Sequence, residues 1–285
     1  MKSIEITIIK NKVAELIAEA SFKLPPDITG ALKYYMDRET GGSAKEVLGL
    51  ILENANSASK ERLPLCQDCG NTYINLKIGP GICIEDSGNL QKHLDDATAD
   101  AYSDNYLRRS IVTDPLFDRI NTGNNTPALA STCFTGEPGL TIEVSLKGGG
   151  SENCSYLAMQ NPSIDEEDII KLVTGLVRAN VTKCCPPVIV GIGIGGTASE
   201  VTKMARSAAF RELGTGNSDK RYELLEQKIL KAVNDTGIGP QGLGGDTTAI
   251  GCNIEFAPCH IATLPVAVFL QCHSLRRASS KISPP

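Results

Sequence analysis

The chain has 285 residues, 41% hydrophobic and 21% charged, with a formal net charge of -5 at pH 7. These values predict a globular protein with a sizeable core, and they exclude the basic footprint of nucleic-acid binding. No apolar run approaches the roughly 18 residues of a membrane span. Ten cysteines behind an N-terminus without a secretory signal predict a cytoplasmic protein with reduced thiols.

Hydrophobic periodicity predicts helices first and strands mixed with helices later. The predicted elements, in chain order, are helices over 11–22, 28–37 and 44–54, β-like stretches in 73–84, a helix over 89–107, a strand over 140–146, a helix over 165–180, a strand over 187–194, helices over 197–213 and 219–235, and strands over 250–256 and 261–271. Asp27 is expected to cap the second helix.

This order predicts a mixed α/β (α+β) fold, with a helical N-terminal portion followed by a small sheet flanked by helices. We expect a single domain over residues 1–285, with room for two lobes of about 1–60 and 61–280. The polar residues 276–281 are expected to form a mobile tail.

Three cysteines stand in short polar or proline-bounded settings. Cys66 and Cys69 form a C-x-x-C pair, but the strand–helix unit of a redox motif and the second pair of a zinc site are both missing around them. Cys185 occurs in Lys-Cys-Cys-Pro-Pro and Cys272 in Gln-Cys-His. Three such thiols suit a cluster or a metal with one open coordination position.

Two glycine-rich segments could contact a ligand. Residues 191–196 match G-x-G-x-x-G between a predicted strand and a predicted helix, which is compatible with a dinucleotide turn, a helix N-terminus facing an anion, or a plain tight turn. Lys147 begins the run Lys-Gly-Gly-Gly-Ser, whose backbone N–H groups could grip a carboxylate. A flexible turn explains this run equally well.

Single polar residues are less specific. Arg108 precedes an Asn/Gly-rich run and is either a solvated side chain or a carboxylate clamp. His260 lies in an apolar segment shortly before Cys272. This position is compatible with a core histidine or with a functional group. His273 follows Cys272 directly and is expected to orient it.

Taken together and in this order, the motifs resemble one family. The chain is similar to the α subunit of two-subunit class I fumarate hydratases and of the related L-tartrate dehydratases, and to the N-terminal half of single-chain class I fumarases. The likeness extends from about residue 14 to residue 278. The motifs that carry it are Cys-Gln-Asp, Asn-Thr-Gly-x-Asn-x-Pro, Lys-Gly-Gly-Gly-Ser, Cys-Pro-Pro-x-x-x-Gly-x-Gly-x-Gly-Gly, Leu-Pro-Val-Ala-Val, Gln-Cys-His and Arg-Arg-Ala.

The resemblance implies a [4Fe–4S] cluster held by Cys66, Cys185 and Cys272, with a fourth iron left for substrate. Asp68 and His260 are the implied acid–base residues. The residues implied to surround a dicarboxylate substrate are Gln67, Asp68, Arg108, Gly148, Gly149, Gly150 and His260. The G-x-G-x-x-G segment becomes a turn beside the cluster.

The activity implied by this resemblance is reversible hydration of fumarate to L-malate, with the active site completed by a β subunit in an α2β2-like assembly. The alternative is conversion of L-tartrate to oxaloacetate. A thiol redox or metal-binding protein and a regulatory subunit without catalysis are alternatives from other classes. Cys69 and Cys259 stand where the family has threonine, and Cys184 doubles the expected ligand position at Cys185.

Overall fold

The structure, a computed structural model, describes residues 2–283. The helices are α1 (Ile6–Phe22), α2 (Pro26–Arg38), α3 (Gly42–Glu61), α4 (Leu90–Asp104), α5 (Gly149–Glu152), α6 (Glu166–Asn180), α7 (Ala198–Phe210) and α8 (Lys220–Asn234). The strands are β1 (Lys2–Ile4), β2 (Asn71–Ile78), β3 (Ile82–Ile84), β4 (Leu129–Phe134), β5 (Leu140–Lys147), β6 (Tyr156–Gln160), β7 (Val188–Gly195), β8 (Ala249–Ala257), β9 (Leu264–Cys272) and β10 (Arg276–Ile282). The predicted mixed α/β class is confirmed.

The described chain divides into two compact units. The first takes in the residues up to Pro25, then Ala55–Gly149, and the chain from Arg276 onward. The second takes in Pro26–Asn54 and Gly150–Leu275. That the chain forms a single domain stays a prediction.

The first unit contains a four-stranded sheet with the strand order β10-β5-β2-β4. Strand β5 is antiparallel to both of its neighbours, and β4 is parallel to β2. Alternate residues of β5, from Leu140 to Leu146, are buried because every second side chain of a strand points to the same face. Helices α1 and α4 contribute the rest of this core, with Val13, Ile17 and Leu94 fully buried.

The second unit contains a four-stranded sheet with the order β6-β9-β7-β8. Strand β7 is buried along its whole length, parallel to β8 and antiparallel to β9. Helix α6 begins at a capping box in which Asp165 and Asp168 each accept the other's backbone N–H. Thr197 and Asp219 cap α7 and α8 through their side chains.

The glycines of the G-x-G-x-x-G segment bring α7 close to β7. A Cβ on Gly191 would lie 2.3 Å from the backbone nitrogen of Ala209, and one on Gly193 would lie 2.3 Å from the backbone oxygen of Val201. Both glycines belong to β7 itself, which has β9 antiparallel on one side. Of the three interpretations, this geometry favours close helix–strand packing followed by a turn at Gly195 and Gly196.

Two expectations about local structure are wrong. Helix α2 already begins at Pro26, so Asp27 lies in its first turn, and its Oδ2 accepts the backbone N–H of Leu213 at 2.9 Å. The polar residues 276–281 form β10, which pairs along its length with β5. A strand at the edge of a sheet needs few apolar residues, because one side of it faces solvent.

Besides the short β1, which falls in the portion predicted to be helical, three strands lacked a sequence signal. In β4 all but one residue is exposed, β6 is a half-buried edge strand, and β10 is largely polar. Each lies at the edge of its sheet, and together they turn the predicted small sheet into two four-stranded ones. In residues 2–283 no helix has the length and apolar character needed to cross a membrane.

Candidate active site

The loop of residues 66–70 leads into β2 and rests on two buried side chains. The hydroxyl of Tyr102 on α4 donates to Cys69 O at 3.1 Å or to Gly70 O at 3.0 Å. Asn125 Nδ2 also donates to Gly70 O, at 3.1 Å. Because Tyr102 and Asn125 are almost fully buried, the loop is supported by groups that packing holds in place.

Asp68 contacts the glycine run that follows β5. Its Oδ2 accepts the backbone N–H of Gly149 at 2.6 Å. A Cβ on Gly148 would lie 2.8 Å from the same oxygen, so a glycine there leaves room for the carboxylate. The structure thus brings three predicted site residues together, and the carboxylate that the glycine run binds is that of Asp68.

Arg276, the first residue of β10, reaches the same loop. Its side chain is 2% exposed, and Nη1 donates to the backbone oxygen of Asp68 at 2.7 Å. Nη2 lies 3.6 Å from the point that a Cβ on Gly148 would occupy. The guanidinium and the Asp68 carboxylate therefore both border the space above Gly148.

Gln67 and Arg108 are exposed in this unit. The Arg108 backbone N–H donates to Cys69 Sγ at 3.2 Å. Burial raises the pKa of the Cys69 thiol, and the Arg108 hydrogen bond only partly opposes this shift. A buried thiol that is kept protonated is a poor redox nucleophile, so this geometry disfavours Cys66 and Cys69 as a dithiol pair.

Cys185 lies in the second unit, between a short 3₁₀ turn and β7. Its backbone is left-handed, with φ 50°, and its side chain is exposed. The neighbouring Cys184 is 1% exposed and belongs to the apolar core. Only Cys185 of this pair is therefore accessible to a ligand without repacking of the core.

His273 fastens the turn that carries Cys185. Its Nδ1 lies 2.9 Å from Cys185 O and donates to it. Burial lowers the pKa of His273, and the hydrogen bond to Cys185 O acts in the opposite direction. Gln241 holds the next residue, because both its backbone N–H and its Nε2 donate to Pro186 O, at 2.7 Å and 3.0 Å.

Cys272 ends β9 and stands opposite Val188 at the start of β7. Cys185 and Cys272 therefore lie at the same end of the β7–β9 ladder. The amide of the fully buried Gln271 donates to Cys272 Sγ at 3.7 Å.

His260 and Gly150 also belong to the second unit. His260 is exposed in a turn after β8, and its Nδ1 accepts the backbone N–H of Ala262 at 3.1 Å. Its other ring nitrogen, Nε2, is consequently the one that can carry the proton. A Cβ on Gly150 would lie 2.9 Å from Lys183 O, so close packing against the backbone accounts for this glycine.

The predicted cluster ligands fit an iron–sulfur group by donor chemistry and access. All three are thiols, with Cys66 and Cys272 half-buried and Cys185 exposed. No three His, Cys, Asp or Glu side chains form a metal-binding group among residues 2–283. Cys66 belongs to the first unit and the other two thiols to the second, and their joint ligation stays a prediction.

Four residues that contact the predicted site were missed as functional candidates. Asn125 and Arg276 lie in motifs of the family resemblance, Asn-Thr-Gly-x-Asn-x-Pro and Arg-Arg-Ala, and these motifs were the available signal. Tyr102 lies on an amphipathic helix and Gln241 in a glycine-rich loop, where nothing in the sequence marks them.

Comparison with known proteins places the chain in a family. A family model described as fumarate hydratase (Fumerase) matches residues 10–281, nearly the whole chain. The chain belongs to the fumarate hydratase family, which is a family of hydro-lyase enzymes. The family resemblance found in the sequence is confirmed.

Individual relatives carry a second name from the same family. A protein of Methanocaldococcus jannaschii, named provisionally as an L(+)-tartrate dehydratase subunit alpha, is 38% identical over 279 residues, covering 96% of this chain and 97% of the relative. The L(+)-tartrate dehydratase subunit alpha of Escherichia coli K12 is 31% identical over 277 residues, 94% of this chain and 90% of the relative. That of Shigella boydii is 31% identical over the same length.

Proposed function

We propose that this chain is the α subunit of a [4Fe–4S]-dependent hydro-lyase that removes water from, or adds it to, a four-carbon dicarboxylate. The observation that carries the proposal is the full-length match to the fumarate hydratase family and to α subunits of tartrate dehydratases. The accessible thiols and the anchored Asp68 support it.

Cys66, Cys185 and Cys272 are the proposed cluster ligands. When bound, such a cluster with one iron free of protein ligands supplies a Lewis acid for the substrate hydroxyl. The exposure of Cys185 and the burial of Cys184 support the choice of Cys185. The amide of Gln271 donates to Cys272 Sγ and helps to orient that thiol.

Asp68 and His260 are the proposed acid–base residues, because each presents a group that exchanges protons. The Gly149 N–H orients the Asp68 carboxylate, and the Ala262 N–H fixes the tautomer of His260. Loss of water requires a proton to leave carbon and another to reach the departing hydroxyl. We assign these two transfers to Asp68 and His260 as a pair.

Arg108 and Gln67 are the proposed ligands of the substrate carboxylates. Arg108 and Gln67 are exposed and offer a guanidinium and an amide. The N–H of Gly149 already serves Asp68. The roles of Gly148, Gly149 and Gly150 are therefore to admit the Asp68 carboxylate and to allow close backbone packing, with direct substrate contact secondary.

Two substrates remain candidates. The names of the relatives favour L-tartrate, which loses water to give oxaloacetate. The family description favours the fumarate and L-malate pair that the family resemblance implies. The name subunit alpha in the relatives also supports a β-type partner that completes the active site.

The test is anaerobic coexpression with a β-type subunit, followed by iron and acid-labile sulfide analysis and by rates on L-malate and L-tartrate. We expect about four irons and four sulfides per α chain and turnover of one substrate at least tenfold above the other. Wild-type protein without visible-region absorbance, reconstituted anaerobically, would overturn the proposal.

A matched pair of variants tests the ligand choice. Cys185→Ser should abolish the visible absorbance, whereas Cys184→Ser should retain it, because Cys184 lies in the core. The opposite result would move the ligand to Cys184.

A further inference from the structure

We propose that Arg276 is the positioning residue for Asp68: its guanidinium holds the main chain of the loop so that the Asp68 carboxylate stays on the Gly149 N–H. This inference rests on the proposed function for the catalytic role of Asp68. The positioning itself is a structural claim that can be tested without any activity.

The contacts of Arg276 and Gly149 fix Asp68 from two sides. Nη1 of Arg276 binds the backbone oxygen of Asp68 at 2.7 Å, and the Gly149 N–H binds Oδ2 at 2.6 Å. Arg276 pairs with Leu146 in the β10–β5 ladder. Both anchors thus start from the end of β5, Arg276 from its partner strand and Gly149 just beyond it.

Arg276 is buried at a cost in stability, so packing alone does not explain why an arginine occupies this position. The side chain is 2% exposed, and within the described chain its Nε has no hydrogen-bond partner. A buried polar group without a partner lowers stability, and more so when it carries charge. An arginine kept under these conditions, with its side chain donating to the backbone oxygen of Asp68, points to a role in placing that residue.

The hydrogen bonds that Tyr102 and Asn125 make to the loop do not replace the contact between Arg276 and Asp68. Tyr102 and Asn125 bind the oxygens of residues 69 and 70, so they hold the loop after Asp68 and leave the peptide of Asp68 to Arg276. Loss of the guanidinium should therefore shift Asp68 and leave the start of β2 in place.

Amide hydrogen exchange at Gly149 is the direct test. Arg276→Lys keeps the positive charge but loses the planar fork of donors, and we expect the Gly149 amide to exchange at least about tenfold faster. Lys281→Gln is the matched control, because Lys281 is an exposed residue of the same strand, and it should leave the amide unchanged. Unchanged protection in folded Arg276→Lys would overturn the proposal.

A second variant keeps the test possible when Arg276→Lys fails to fold. If Arg276→Lys does not fold, Arg276→Met, which refills the volume without charge, is measured in the same way. Unchanged Gly149 protection in that variant would equally overturn the proposal.

A double-mutant cycle tests the link to catalysis in the reconstituted enzyme. Arg276→Lys should lower kcat by about 10- to 100-fold with little change in KM, because a small displacement of a catalytic group costs this much. In the Asp68→Asn background the same change should cost less than twofold. Equal losses in both backgrounds would show that Arg276 does not act through Asp68.

The two experiments separate the two proposals. If the wild-type enzyme turns over neither dicarboxylate while the Gly149 amide responds to Arg276→Lys, the proposed function fails and the positioning stands. If turnover is normal and the amide does not respond, the positioning fails and the function stands.

Discussion

Tyr102 determines how firmly the loop before β2 is held. Its hydroxyl donates to Cys69 O or to Gly70 O and accepts a hydrogen bond from Thr72 Oγ1 at 3.4 Å. All four residues are buried. Hydrogen bonds in such a place matter chiefly because a buried carbonyl left without its donor is costly.

Replacement of Tyr102 by phenylalanine should therefore destabilise the protein by about 1–3 kcal/mol at neutral pH. The measurement is urea unfolding followed by circular dichroism. Tyr106→Phe is the control, because Tyr106 is 93% exposed and close in sequence. An equal effect of both changes would contradict this account of the loop.

The same tyrosine makes the stability of the protein depend on pH in the alkaline range. Burial raises the pKa of Tyr102 to about 12, above the value of about 10 in an unfolded chain. The folded state therefore keeps the proton longer, and stability that is complete below pH 10 is lost as the pH rises towards 12. At about 1.4 kcal/mol per pH unit, wild type should lose up to about 3 kcal/mol more than Tyr102→Phe across this range.

At the scale of elements, β7 and α7 approach closely because two glycines of the strand face the helix. A Cβ added to Gly191 would lie 2.3 Å from the backbone nitrogen of Ala209 and 2.4 Å from the backbone oxygen of Ala205. These are backbone atoms of a helix, which cannot move aside as a flexible side chain can. The glycine pattern therefore has a packing role that is independent of any ligand.

Gly191→Ala should accordingly cost about 3 kcal/mol or more, or prevent folding. Gly175→Ala should instead stabilise the protein by about 0.5–1 kcal/mol, because Gly175 is an exposed helical residue of α6 with nothing within 4 Å of the added Cβ. Thermal unfolding of both variants decides the matter. A well-tolerated Gly191→Ala would contradict the packing role of these glycines.

Sequence patterns predicted those elements whose apolar residues are buried in a core. Strand β5 alternates, β7 is continuously apolar, and α6 follows an acidic cap, and each was predicted within two residues of its observed bounds. Strand β10 could not be predicted, because its residues are polar and its pairing with β5 is a long-range contact. The anchoring of Asp68 by Arg276 was hidden for the same reason, since 208 residues separate them.

At the scale of the whole molecule, each unit is built around its own apolar core. In the first, β2, β5, α1 and α4 supply it, and in the second, β7, β8, β9 and α6. The proposed cluster ligands Cys66, Cys185 and Cys272 lie outside the fully buried set. Folding of the chain should thus depend on these cores far more than on the iron.

Removal of iron from the anaerobically loaded protein should therefore abolish turnover and visible absorbance while the far-ultraviolet circular dichroism stays unchanged. Bound iron still stabilises the native state by mass action, so we expect the melting temperature to fall by several degrees without loss of cooperativity. Cys184→Ser serves as the contrast: it removes a core thiol, so it should lower the melting temperature whether or not iron is present. Loss of helical signal on chelation of the wild-type protein would contradict this separation, because it would show that the fold requires the metal, as in small zinc domains.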